Sequence, residues 1–523
     1  MPGTPVFWVN LYWSLLVLLF GACVGSFLNV VIYRWPRDIS LRRPLRSFCP
    51  SCRSTLQWRD NLPVLSYVLL RGRCRYCRAP ISVQYPLVEL ATAFTFLILF
   101  DAFFVARLRD GISDLTCDWP ILLAHWALAG GLIVVTVMDL EAYLVDIRVT
   151  WIMTGLGLIL HAMWTPAAST AAEGWIRPGA IQAVAALAAT VGMAIGALIW
   201  LRGSKAEGED VSGLPAPAGP PSADTASVET GASAEAPAAS ACESAAVESQ
   251  TSAELLVAGE SLVSRPASYA WIWAVVGLIV VAAYVGSMVL QDYHAWTRLI
   301  HPPRDAGGRL VWPEASRVDP GLVRTGVGLA VLFVVLTVFA SHPHPEEDEG
   351  IVEAINAEAV TARRNALWEL LLLSPAILLI VAGLFIVGGN PAASQAVERV
   401  LHWKVFGNWQ PLWGLATALT GWAIGGALAW ATRIFGTLGL GKEAFGMGDV
   451  HIMAAIGAIA GWSVAFIGFF AASLLALVGM VVILCRRQGR ALPYGPWLAL
   501  ASFIVVIYHD RILDYLQIMN SPQ

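Results

Sequence analysis

The chain has 523 residues, 57% of them hydrophobic and 13% charged, with a formal net charge of −4 and a mean hydropathy of +0.65. A soluble chain carries about a quarter charged residues, so the composition excludes an ordinary soluble globular protein and indicates a polytopic membrane protein. The 22 tryptophans suit a molecule with many membrane–water interfaces, where amphipathic rings settle.

The first basic residue is Arg34, and the apolar stretch 9–33 before it is long enough to cross a bilayer. A secretory signal would begin with a positive region, and this stretch does not. Residues 34–78 then hold eleven arginines against only Asp38 and Asp60. That bias predicts a cytoplasmic segment and an external N-terminus. Nucleic-acid binding is the rival reading of a basic stretch, but membrane topology alone accounts for the charge, so no nucleic-acid partner is expected.

The same segment carries Cys49-Pro-Ser-Cys52 and Cys74-Arg-Tyr-Cys77, with 21 residues between the pairs. Each short turn aims two thiolates at one point, and two such turns fit a tetrahedral zinc site. A reducing cytoplasm keeps the thiols free, and Arg53, Arg73, Arg75 and Arg78 favour the thiolate form. Residues 34–84 are therefore expected to form a small cytoplasmic zinc-ribbon-like loop domain with structural zinc on Cys49, Cys52, Cys74 and Cys77. The alternative is a pair of unmetallated hairpin turns. Cys23, Cys117, Cys242 and Cys485 lack such spacing and read as small apolar side chains.

Further spans are predicted at 85–106, 119–138, 149–164 and 181–201, then at 269–290, 322–340, 367–387 and 411–431, and last at 450–460, 464–485 and 494–513. With the first, that makes about twelve in an all-α architecture, two of them short. Residues 202–268 contain no aromatic side chain and are dominated by Ala, Ser, Glu, Gly and Pro. They are expected to form a disordered cytoplasmic linker. The polar patch 342–364 reads as a solvated loop with a short helix.

Two carboxylates stand at the ends of apolar runs: Asp139 in V-M-D-L-E-A-Y-L-V-D and Asp449 in F-G-M-G-D-V. A charge at membrane depth costs a few kcal/mol, so both are functional candidates. Counting crossings from an external N-terminus brings both out at the cytoplasmic face, as a shared aspartyl-protease site requires. The arginines at 486, 487 and 490 also come out inside. The loop 291–321 is assigned outside although it holds Arg298, Arg304, Arg309 and Arg317. Polar residues within spans (His125, His161 and Glu369) would line a water path or meet a neighbouring helix. Glu89, after Tyr85-Pro86, is a candidate for seating substrate.

The stretch G-A-C-V-G-S-F-L-N-V-V-I-Y-R-W-P-R, the paired cysteines, D-N-L-P-V-L-S-Y, R-G-R-C-R-Y-C and I-S-V-Q-Y-P-L-V-E-L resemble the type IV prepilin peptidases. So do G-M-G-D-V-H-I-M-A-A-I-G-A and L-P-Y-G-P-W-L-A-L near the C-terminus. The resemblance covers roughly 18–150 and 410–505. It implies a GxGD-type aspartic endopeptidase of the bacterial inner membrane, cleaving the leader of prepilins or pseudopilins after a glycine at the cytoplasmic face. Many such proteins also methylate the new N-terminus using S-adenosylmethionine. The family pattern puts the catalytic pair at Asp139 and Asp449, with Gly446 and Gly448 giving the backbone close access to an extended substrate. Gly72 would serve methyl transfer or simply make a turn.

The chain departs from the pattern in three ways. Val145-Asp146-Ile147 replaces the usual Ile/Leu-Pro-Asp/Asn, and Asp146 would share a helical face with Asp139 if that helix continued, which makes it a rival to Asp139 for the catalytic role. His451 stands where lysine is common. Residues 166–405 are an insert between a core at 85–165 and a second at 406–523. The rival readings are an inactive scaffold for pilus or secretion assembly and, more remotely, a transporter.

Overall fold

The computed structural model describes residues 5–44, 46–109, 111–112, 114–142, 145–165, 178–211, 284–285, 324–332, 361–485 and 493–520. Among them the long elements are helical: α1 (Pro5–Arg34), α2 (Leu65–Leu69), α3 (Gln84–Phe100), α4 (Leu115–Ala142), α5 (Ile147–Met163) and α6 (Ala180–Val211). After the insert's middle come α7 (Ala362–Gly388), α8 (Pro391–Leu401), α9 (Pro411–Leu440), α10 (Met447–Ala460), α11 (Trp462–Cys485) and α12 (Gly495–Asn520).

Eight helices among the described residues are long and apolar enough to cross a membrane, and α5 and α10 are shorter apolar helices. These ten correspond to ten of the twelve expected spans. The other two, 269–290 and 322–340, fall largely outside the described residues, so twelve crossings are not established. The expected linker begins at 202, yet α6 runs on to Val211; the remainder, 212–268, is outside the described residues, as are the loop 291–321 and the arginines at 486, 487 and 490.

Without a hydrophobic driving force between helices in lipid, close packing needs small residues at the contact. Gly21 and Gly25 supply it between α1 and α3, where an added methyl would lie 2.7 Å from the α carbon of Ala93 or of Glu89. Gly421 of α9 and Gly457 of α10 meet so closely that a side chain on either would overlap the other's carbonyl. Gly425 is pressed against the Met453 carbonyl in the same way. The helix that carries Asp449 is thereby seated backbone to backbone on α9.

The insert's helices pack on one another through glycines, and the insert meets the core through charge. Gly192 and Gly196 of α6 abut Ala376 and Leu372 of α7. Farther along, Arg324 meets the fully buried Asp101 at the end of α3, with Nε to Oδ2 at 2.8 Å and Nη2 to Oδ1 at 2.6 Å. The Tyr284 hydroxyl donates to the same carboxylate at 2.8 Å. Arg324→Met strips a buried carboxylate of its guanidinium and is expected to cost about 3–5 kcal/mol. Unfolding in detergent micelles measures this loss.

Candidate active site

Asp139 lies near the C-terminal end of α4 and is buried. Asp449 stands in the first turn of α10, whose N-cap is Gly446. A carbon placed at the missing Cβ of Gly495 would lie 2.6 Å from Asp139 Oδ2 and 3.6 Å from Asp449 Oδ1, so these two carboxylate oxygens come within about 6 Å of each other. The Gly495 amide itself donates to Asp139 Oδ2 at 3.1 Å. Three segments thus converge: the end of α4, the start of α10 and the start of α12.

The glycines around Asp449 have separate local reasons. Gly446 has ordinary extended backbone (φ −66°, ψ 141°), but a methyl there would sit 3.3 Å from Asp449 Oδ2 and crowd the carboxylate. A methyl on Gly448 would lie 2.5 Å from Val145 Cβ. Gly448 therefore lets the first turn of α10 pack on the segment that follows α4.

Asp146 does not continue the helical face of Asp139, because α4 ends at Ala142. It is instead the N-cap of α5, accepting from the Arg148 amide at 2.8 Å. Its carboxylate also pairs with the Arg148 guanidinium, with Nη2 to Oδ2 at 2.7 Å. That guanidinium lies over the Trp35 ring, 5.2 Å from the centroid, and donates to the Trp35 carbonyl at 3.0 Å. The structure therefore groups Asp139, and not Asp146, with Asp449.

The remaining candidates have local partners. His451 faces Trp151, with ring centroids 6.3 Å apart. His125 and His161 each bond through Nδ1 to a carbonyl of their own helix, Ile121 at 2.8 Å and Gly157 at 2.9 Å. Glu89 Oε2 accepts from the Val64 amide at 2.6 Å, fastening α3 to the loop domain. Gly72 occupies a left-handed turn (φ 67°) just after α2, its amide bonded to the Tyr67 carbonyl at 2.9 Å.

The four expected cysteines come together. Their sulfurs all lie within 4.8 Å of one another, and Cys49 Sγ is 3.8 Å from Cys77 Sγ. A tetrahedron with zinc–sulfur bonds of about 2.3 Å has edges of about 3.8 Å, so the cluster could hold a metal such as zinc. The two turns share one backbone pattern: Arg53 donates to the Cys49 carbonyl and Arg78 to that of Cys74. Arg53 and Arg78 both take positive φ, 55° and 62°. The hydroxyl and amide of Ser54 draw the Cys52 thiol down to about 6, while burial pushes the Cys49 thiol up. Asp60 ties the second turn down, accepting from Arg75 and from the Tyr76 hydroxyl.

Sequence reasoning missed Gly495. Its only signal was the L-P-Y-G-P stretch within the family resemblance. Gly495→Ala places a methyl against Asp139 and is expected to lower the rate of whatever reaction this centre performs by about 10²-fold, as misplacement by about 1 Å does. Turnover compared at equal amounts of folded protein checks this.

Residues 19–103 match the family model described as the bacterial peptidase A24 N-terminal domain. Over 98 residues the chain is 53% identical to the "Prepilin leader peptidase/N-methyltransferase" of Myxococcus xanthus (strain DK1622), covering 18% of this chain and 27% of that protein. It is 33% identical over 232 residues to the "Type 4 prepilin-like proteins leader peptide-processing enzyme" of Escherichia coli O78:H11, covering 35% of this chain and 84% of that protein. Over 92 residues it is 47% identical to the "Prepilin leader peptidase/N-methyltransferase" of Klebsiella pneumoniae, covering 16% of this chain and 40% of that protein. The matches to the Myxococcus and Klebsiella proteins thus span less than half of either relative. No solved structure matches the chain.

Proposed function

The chain belongs to the prepilin peptidase A24 family, and from that membership we propose that it is a membrane-embedded aspartic endopeptidase of the bacterial inner membrane. It removes the leader of type IV prepilins or pseudopilins after a glycine, at the cytoplasmic face. The observation that carries this reading is the convergence of Asp139 and Asp449 beside Gly495, whose amide donates to Asp139.

Peptide hydrolysis needs an activated water and a proton for the departing amine. Two neighbouring carboxylates that share one proton supply both, because neither ionises easily once the other has. The ionised member takes a proton from water as it attacks the scissile carbonyl, and the protonated member hydrogen-bonds the carbonyl oxygen and then protonates the leaving nitrogen. The pair acts as a unit, so acid and base are not assigned separately. The Gly495 N–H fixes the orientation of the Asp139 carboxylate, while Gly446 and Gly448 leave room around Asp449.

Cys49, Cys52, Cys74 and Cys77 would hold a structural zinc and keep the loop domain folded. The arginines of that loop support a cytoplasmic placement of this end of the bundle. Methyl transfer from S-adenosylmethionine to the new N-terminus is a second proposed activity. It rests on the names of the relatives, and no residue of the chain is assigned to it.

The test is mass analysis of a purified prepilin incubated with the protein in detergent. Loss of the leader at a glycine is the expected result, with a further 14 Da (about one methylene added by methylation) if S-adenosylmethionine is used. An uncut prepilin with folded protein would leave the scaffold reading standing instead.

A further inference from the structure

The insert makes specific contacts with α9 and with the connection 441–446 that leads into the helix carrying Asp449. Glu369 lies two turns into α7. Its carboxylate receives the Arg433 Nε–H, at 3.0 Å to Oε1 and 3.2 Å to Oε2. The Trp430 indole N–H donates to Oε2 at 2.9 Å. Held on that side, Arg433 directs Nη1 to the Phe445 carbonyl at 2.6 Å and to the Glu443 carboxylate. Phe445 directly precedes Gly446, the N-cap of α10.

A second contact from the same helix reinforces the first. The Arg363 guanidinium lies against Gly441, the left-handed residue (φ 74°) that ends α9, 3.2 Å from where its Cβ would be. The Ala444 amide returns to the Thr437 hydroxyl at 3.2 Å. The connection 441–446 is thus gripped at both ends. Beside it lies a cavity of about 210 Å³ bordered by Asn365, Glu369, Arg433, Thr437 and Glu443, which gives the connection space to shift if the grip opens. The Arg433 and Glu369 side chains are only 15% and 16% exposed, so water screens their pairing weakly.

We propose that the insert acts as a positioning element for the Asp449 turn, with Glu369 orienting Arg433 and Arg433 anchoring the Phe445 carbonyl. The proposal rests on the peptidase reading for its kinetic consequence and not for its structural one. Catalytic groups must be held to within about 0.5 Å of their working geometry. Glu369 touches neither carboxylate and acts on the centre only through Arg433.

The experiment uses the full chain in detergent with a prepilin substrate. Glu369→Ala and Arg433→Met are expected to lower kcat by about tenfold or more, with KM within about twofold and a displaced limb in the pH–rate profile. Glu369→Gln keeps an acceptor for the guanidinium and is expected to recover part of the rate. Hydrogen–deuterium exchange of the 441–449 amides is read on the same variants without substrate, and is expected to quicken in Glu369→Ala. Unchanged exchange overturns the proposal, whatever the wild-type chain does to prepilin. So does a fall in kcat that merely tracks the unfolded fraction while the pH profile stays fixed. If the wild-type protein leaves prepilin uncut but the exchange quickens, the peptidase reading fails and the anchoring stands.

Discussion

Asparagine at Asp139 or at Asp449 is expected to lower prepilin cleavage by about 10²–10⁴-fold or more, because each removes one of the two groups proposed to share the proton. The double variant should be scarcely worse than either single one, since residues acting as a unit give non-additive losses. Asp146→Asn is the contrasting variant. Asparagine caps α5 as well as aspartate does, so only the pairing with the half-exposed Arg148 is weakened, a loss of about 0.2–1 kcal/mol in stability, and cleavage stays within a few-fold of wild type. Quantified cleavage of a prepilin by the purified proteins checks all four. Loss of cleavage in Asp146→Asn alongside full activity in Asp139→Asn would transfer the role to Asp146.

Removal of the proposed zinc is expected to unfold the loop domain. Structural zinc sites contribute about 10–16 kcal/mol at neutral pH, more than a small loop with two isolated β-bridges, Phe48 to Thr55 and Arg73 to Pro80, gains from its own packing. Metal analysis should find about one zinc per wild-type chain and none in the Cys49→Ser, Cys74→Ser double variant. The eleven arginines of residues 34–78 then become the readout, because limited trypsin digestion cuts an unfolded arginine-rich loop readily and a folded one slowly. Acid should release the metal, since its ligands must be deprotonated.

The long helices were legible because crossing a bilayer sets a length and a hydropathy that few other segments meet. The cysteine cluster was legible because two C-x-x-C turns have little else to do with four thiols. Helix ends were less so. The expected span 450–460 begins after Asp449, whereas α10 starts at Met447 and takes Asp449 into its first turn; Gly446 and Gly448 disguise a helix start as a loop. The face-sharing argument for Asp146 assumed a helix that in fact stops at Ala142. Contacts between distant positions carried no local signal at all. Gly495 reaches Asp139 across 356 positions, and Glu369 reaches Arg433 across 64. Neither pairing has a period, a spacing or a charge run to betray it.

The meeting of α4, α10 and α12 around one pair of carboxylates has a consequence for biosynthesis. Ribosomes deliver these helices in order, and α12 follows the other two. Until Gly495 has been inserted and has hydrogen-bonded to Asp139, the acidic pair lacks its third side. A nascent chain therefore cannot complete the proposed centre before α12 is in place.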